Sequence, residues 1–167
     1  PVKDGSILII GSGLSGASIA YFLAEKGVKD LSLCDYKVEN SASFRNCGHI
    51  LLGTVESMEA LTLLHGQEKA KIIWNFSKKS CDELEKTLKG LDVKVDYHKK
   101  GALSIALDEV EDRQLQESIK ILNKAGFSSE YFTAKKVKSL GFKNVFGARY
   151  DKECAHAHPV KVRNALL

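Results

Sequence analysis

A chain of 167 residues, 44% hydrophobic and 28% charged, holds enough apolar material for one ordinary domain with a core, or one and a half small ones. Its net charge of +4 does not call for nucleic acid and suits an anionic, phosphate-bearing ligand. It shows no signal peptide and no apolar run of membrane length. The four cysteines (Cys34, Cys47, Cys81, Cys154) lack any CxxC spacing and are expected to be reduced thiols in a cytoplasm.

Chain order begins with Ile7 to Ile10, a short apolar run bounded by Asp4-Gly5 and by glycines, as a buried parallel strand should be. Gly11, Gly13 and Gly16 follow in GxGxxG spacing, and a helix is predicted from the recurrence of Ala17, Ala20, Tyr21 and Ala24. Lys26-Gly27 supplies a basic last turn and a glycine stop. A second apolar run ends at Asp35, 24 residues after Gly11. This order is that of a dinucleotide-binding βαβ unit. Gly11 serves the tight turn, Gly13 close approach of a pyrophosphate to a helix N-terminus, Gly16 close helix–strand packing, and Asp35 the ribose hydroxyls.

The segment after Asp35, YKVENSASFRNCGHI, is polar, small-residue-rich and without periodicity. Helices are expected over Glu56 to Leu64 and Glu68 to Leu88. Ile73, Phe76, Leu84 and Leu88 share a face of the second, Gly90 ends it, and Trp74 packs as core. Val93 to Tyr97 and Ala102 to Leu107 read as an antiparallel hairpin around His98 to Gly101. Asp108 and Glu111 form an acidic capping box for a helix with the stripe Leu115, Ile119, Leu122, ending at Ala125-Gly126. Thr133 to Leu140 reads as a short basic helix, whose Lys135, Lys136 and Lys138 make a solvated face rather than a nucleic-acid patch. Asn144 to Tyr150 reads as a strand. Val160 to Leu167 reads as a helix after Pro159, in which the chain stops. With Pro1 in place of Met, and too few parallel strands for a doubly wound sheet, the fold is expected to be incomplete.

Two stretches carry a family resemblance. Ala42-Ser43-Phe44-Arg45-Asn46-Cys47-Gly48, shortly after the ribose acid, fits A-S-x-R-N-x-G, and Tyr150 to Pro159, YDKECAHAHP, has the His-x-His-Pro that leads into a helix. With Gly101-Ala102-Leu103 and the opening GSGLSG, the chain resembles the flavin-dependent amine and D-amino-acid oxidase superfamily. It is nearest to the γ-glutamylputrescine oxidase-like and glycine/sarcosine oxidase-like branches. Asp35 stands where the family usually has Glu, and Cys47 and His49 where small or amide residues are commoner.

The resemblance implies an α/β Rossmann-type FAD-binding βαβ unit followed by an α+β substrate-domain segment. The implied divisions are residues 1–55 for the start of the FAD-binding domain, 56–92 for a helical segment, 93–155 for part of the substrate domain, and 156–167 for a helix returning to the FAD-binding domain. It implies FAD as cofactor, a small-molecule amine as substrate, and the C-terminal remainder of a longer chain to complete the site. The implied cofactor-binding residues are Gly11, Gly13, Leu14, Ser15, Gly16, Asp35, Tyr36, Ser43, Arg45, Asn46, Gly48 and His49. Arg45 would offset phosphate or flavin charge, or lie in a surface salt bridge. Asn46 would bond the cofactor or cap a turn, and His49 would tune the flavin ring or serve structure alone.

The implied reaction is hydride transfer from an amine-bearing carbon to flavin. No residue is nominated as catalytic. Cys154, His156 and His158 alternate and, with His98, contain metal-ligand chemistry, but zinc sites show tighter paired spacings and no metal is expected. Two other readings stay open: a nucleotide-binding module without activity, and a nicotinamide-dependent Rossmann enzyme.

Overall fold

A computed structural model describes residues 5–167; Asp4, expected to help bound the first strand, lies outside the described residues. In chain order the elements are β1 (Ile7–Ile10), α1 (Leu14–Glu25), β2 (Leu31–Cys34), 3-10 turns at Val38–Asn40 and Ala42–Phe44, β3 (His49–Ile50), α2 (Met58–His65), α3 (Gln67–Gly90), β4 (Ala102–Ala106), α4 (Glu109–Ala125), β5 (Glu130–Thr133), α5 (Ala134–Ser139), β6 (Gly147–Asp151), β7 (Ala155–His156) and α6 (Pro159–Ala165). They divide into a first unit, Pro1–His49 with Glu85–His98 and His156–Leu167, and a second, Ile50–Leu84 with Lys99–Ala155.

In the first unit β1 and β2 pair in parallel, with Ile7 opposite Leu31 and Ile10 opposite Cys34. The connecting α1 is a right-sized crossover, and its buried residues Gly16, Ala17 and Ala20 are all small, which lets the helix axis approach the strands. Lys26 caps α1, and Gly27 takes the left-handed backbone (φ +83°) that ends it. α6 starts with Pro159 at its first turn, takes His158 as N-cap, and packs on α1 and on the Ala42–Phe44 turn.

The second unit has two apolar cores. Met58 and Leu61 of α2, Ala70 and Trp74 of α3, and Leu122 and Phe127 form one; the Trp74 and Phe127 rings lie 6.0 Å apart. Gly53 (φ +93°) lies against the Trp74 ring, so closely that an added Cβ would come within 2.6 Å of it. The other core, of Phe132, Val137, Val145 and Ala148, lies against the antiparallel sheet β4-β6-β5. In its register Ala102 faces Asp151 and Glu130 faces Tyr150.

Three expectations are corrected. Val93 to Tyr97 is not a strand. Asp92 and Asp96 have positive φ (47° and 54°), and the segment gives its main-chain bonds to the chain around His156, through Val95 O from His158 N and a reciprocal pair between His98 and His156. The partner of β4 is therefore β6, not a local hairpin mate. Phe76 is 72% exposed. Two residues from Trp74, it points to roughly the opposite side of α3, and Ala70 and Trp74 carry the inward face. The strand expected from Asn144 starts only at Gly147, as β6, because Asn144 is left-handed (φ +54°) and Val145 turns into the core. α4 matches its expected span, with Asp108 Oδ1 accepting from the N–H groups of Val110 and Glu111, both at 2.8 Å. No described helix is long and apolar enough to cross a membrane.

Candidate functional site

The turn between β1 and α1 shows why glycine is required there. Gly11 has φ +99° and donates its N–H to Cys34 O at 2.7 Å, tying the turn to the end of β2. A Cβ on Gly16 would overlap the carbonyl oxygen of Gly11. Gly13 is the N-cap of α1 without a capping side chain, and a Cβ there would sit 2.8 Å from Ser43 Oγ. That hydroxyl accepts from Leu14 N–H at 2.9 Å. The N–H groups of Ser15 and Gly16 have no acceptor among the described residues. The start of α1 thus offers unpaired donors beside a position with no side chain, the chemistry of an anion site.

Asp35, at the end of β2, turns its carboxylate onto the glycine turn. Oδ2 accepts from Ser12 N–H (2.5 Å) and Ser12 Oγ–H (3.1 Å), and Oδ1 accepts from Tyr36 N–H (2.7 Å). The Ser12 N–H bond is the main reason its carboxyl sits below the ordinary value of 3.8; partial desolvation opposes it, and the Ser12 hydroxyl and the Tyr36 and Lys37 amides add to it. Ser12 is itself 6% exposed, and its main-chain oxygen and hydroxyl both accept from the guanidinium of Arg163 in α6, at 2.7 Å each. The same guanidinium lies 6.0 Å from the Phe44 ring centre. Ser12 and Arg163 escaped sequence reasoning: Ser12 fills a variable position of the motif, and Arg163 lies 151 residues away in sequence.

The remaining candidates are arranged as follows. Tyr36 is 89% exposed, with Lys37 Nζ 5.2 Å from its ring centre. Arg45 donates to Asn40 O at 2.5 Å, so its guanidinium braces its own loop. Asn46 donates to Ala42 O and Ser43 O and accepts from Gly48 N–H, holding the turn that presents Ser43. Gly48 (φ +70°) pairs with Ala157, whose carbonyl oxygen leaves no room for a Cβ. His49 is exposed on β3. Ser41 Oγ, in the same loop, is a buried hydroxyl with no hydrogen-bond partner among the described residues.

The alternating Cys154, His156 and His158 have separate uses. Cys154 Sγ is buried and accepts from Leu52 N–H (3.5 Å); desolvation raises its thiol above the usual range. His156 lies ring to ring with His98 at 5.0 Å, and His158 Nδ1 accepts from Lys161 N–H. Among the described residues no three His, Cys, Asp or Glu side chains converge as a metal site would need. All four cysteines are free.

Comparison with known proteins agrees with this architecture. A profile of the FAD dependent oxidoreductase (DAO) family matches residues 6–167. The chain is 30% identical over 162 residues to the probable oxidoreductase OrdL of Haemophilus influenzae, covering 95% of this chain and 37% of that protein. It is 22% identical over 158 residues to the gamma-glutamylputrescine oxidoreductase of Escherichia coli, covering 93% and 37%. Glycine oxidase from Bacillus cereus superposes with a TM-score of 0.68 at 24% identity, over 96% of this chain and 42% of that one. The chain thus spans well under half the length of these relatives. By its residues 6–167, it belongs to the family of FAD dependent oxidoreductases.

Proposed function

We propose that the protein carrying this chain oxidises a C–N bond of an amine or amino acid, and that residues 1–55 and 156–167 contribute the first part of its FAD site while residues 93–155 belong to its substrate domain. The observation that carries the cofactor reading is the start of α1, where Gly13 has no side chain and the N–H groups of Ser15 and Gly16 stand without acceptors. Those donors suit a pyrophosphate. Asp35, held ionised by Ser12, suits a ribose, and the buried, partnerless hydroxyl of Ser41 is a further polar group in want of a ligand. Gly11, Leu14, Tyr36, Ser43, Arg45, Asn46, Gly48 and His49 complete the proposed cofactor-binding set. The two 3-10 turns after β2 also favour flavin over nicotinamide, since nicotinamide folds continue from the acid into further strand–helix units.

When bound, FAD supplies the electron-accepting ring that receives a hydride from the amine-bearing carbon. The chain's own residues bind and orient: α1 holds anionic oxygens, Asp35 accepts from hydroxyls, and Asn46 keeps the Ser43 loop in place. The amine reading is supported by the relatives, which include a gamma-glutamylputrescine oxidoreductase and a glycine oxidase. The test is purification of the full-length protein followed by anaerobic addition of primary and secondary amines and amino acids. The expected result is a yellow protein bleached by a subset of them. A colourless protein that takes up no FAD overturns the reading, and a flavoprotein reduced only by alcohols or NADH overturns its amine part.

A further inference from the structure

Arg163, which no motif accounts for, has three donors engaged in hydrogen bonds. Its Nε donates to Ser12 O and its Nη2 to Ser12 Oγ, both at 2.7 Å, while Nη1 donates to Asn164 Oδ1 at 2.9 Å. A guanidinium has only donors. Ser12 Oγ must therefore accept from it, and the single hydroxyl proton is directed to Asp35 Oδ2, 3.1 Å away. The same oxygen of Asp35 takes Ser12 N–H at 2.5 Å. The result is a one-way chain of donors: Arg163 to Ser12, and Ser12 to Asp35.

The paired bonds from Arg163 to Ser12 also set geometry. Gripping both the carbonyl and the hydroxyl of Ser12 fixes the peptide that precedes Gly13, the residue at the start of α1. Proximity to the Phe44 ring places the same cation beside the loop whose Ser43 accepts from Leu14 N–H. A lysine would keep the charge but not the two-pronged grip.

We propose that Arg163 is a positioning residue of the cofactor site. It locks the glycine turn through Ser12 and fixes the polarity of the Ser12 hydroxyl, so that Asp35 is presented as an oriented carboxylate to the adenosine half of a dinucleotide. This rests on the FAD reading given above. It concerns only the adenosine end and makes no demand on the flavin ring.

The test uses full-length apoprotein and measures affinities for FAD, ADP and FMN by calorimetry for wild type, Arg163→Met, Arg163→Lys, Ser12→Ala and the Met/Ala double variant. Losing a charge-assisted grip is expected to weaken FAD and ADP binding by about tenfold in Arg163→Met, with FMN affinity unchanged. Arg163→Lys should recover only part of that loss. Adding Arg163→Met to Ser12→Ala should cost less than it does in wild type, because the relay is already cut. If Arg163→Met fails to fold, Arg163→Lys and Ser12→Ala carry the comparison. Unchanged ADP and FAD affinity in the variants, an equal loss of FMN affinity, or full additivity with Ser12→Ala overturns the proposal and leaves the FAD reading standing. A wild type that binds no FAD overturns both.

Discussion

Asp35 keeps its charge further into acid than an ordinary aspartate, since the Ser12 amide holds its carboxyl below 3.8. A depressed carboxyl stabilises the fold fully at pH above the unfolded value, and that contribution is lost as pH falls from 3.8 through the lower folded value. The thermal midpoint of the full-length protein should therefore fall as pH drops through that window, and Asp35→Asn should flatten the fall. Asp96, held low by its hydrogen bond to Lys161, contributes in the same direction and leaves a residual slope. An identical acid limb in wild type and Asp35→Asn would contradict the assignment.

Gly13 makes a second prediction. Gly13→Ala pushes its Cβ against Ser43 Oγ and should displace the hydroxyl from Leu14 N–H, costing about 1 kcal/mol of stability. Adding Ser43→Ala relieves the clash, leaving ordinary contact at 3.7 Å, but removes the same acceptor from Leu14 N–H, so the double variant should unfold in urea together with Ser43→Ala alone; a further loss in the double variant would contradict this account. At this scale the glycines and Asp35 were legible because a tight turn and a strand end restrict what residue can stand there. Arg163 was not, since nothing near it in the chain says that its guanidinium meets Ser12. The part of Arg45 in bracing Asn40 was equally invisible, because one Arg in a polar loop suits many partners.

Among the elements, α4 is where local chemistry decides most. Asp108 caps two N–H groups, and Glu111 Oε2 accepts from Leu107 N–H at 2.7 Å, one residue ahead of the position a standard capping box uses. Asp108→Ala should cost about 1 kcal/mol in urea unfolding; a change indistinguishable from zero would show the cap to be dispensable. Elements of this kind, α1 and α4 above all, were readable from caps and stripes. The sheet of the second unit was not. β4 looks like the second arm of a hairpin, yet its partner β6 lies more than 40 residues further on, and β5, with only Phe132 buried, shows no alternation to find. Strand pairing across such distances is a property of tertiary packing, which period-two patterns do not encode.

At the scale of the whole molecule, the chain spans 37% of the length of the probable oxidoreductase OrdL, and its first unit leaves apolar strand residues in solvent. Ile10 and Leu8 of β1 are 82% and 45% exposed, and Ile19 of α1 is 51% exposed as well, because a two-stranded parallel pair with one crossover helix covers little of its own surface. Expressed alone, the 167 residues should bind a hydrophobic dye and self-associate in size-exclusion chromatography. The full-length protein should do neither, and it should hold FAD more tightly than the isolated chain. A monodisperse, dye-silent isolated chain with full-length affinity would show the first unit to be self-sufficient.

The single tryptophan adds a practical consequence. Trp74 is 5% exposed and walled by Gly53 and Phe127, entirely within the second unit. Its emission is therefore a built-in optical gauge of that unit alone. Melting followed at Trp74 and melting followed by release of the nucleotide proposed to bind the first unit would be two separate clocks on one chain, and any lag between them would measure how far one half can loosen while the other stays shut.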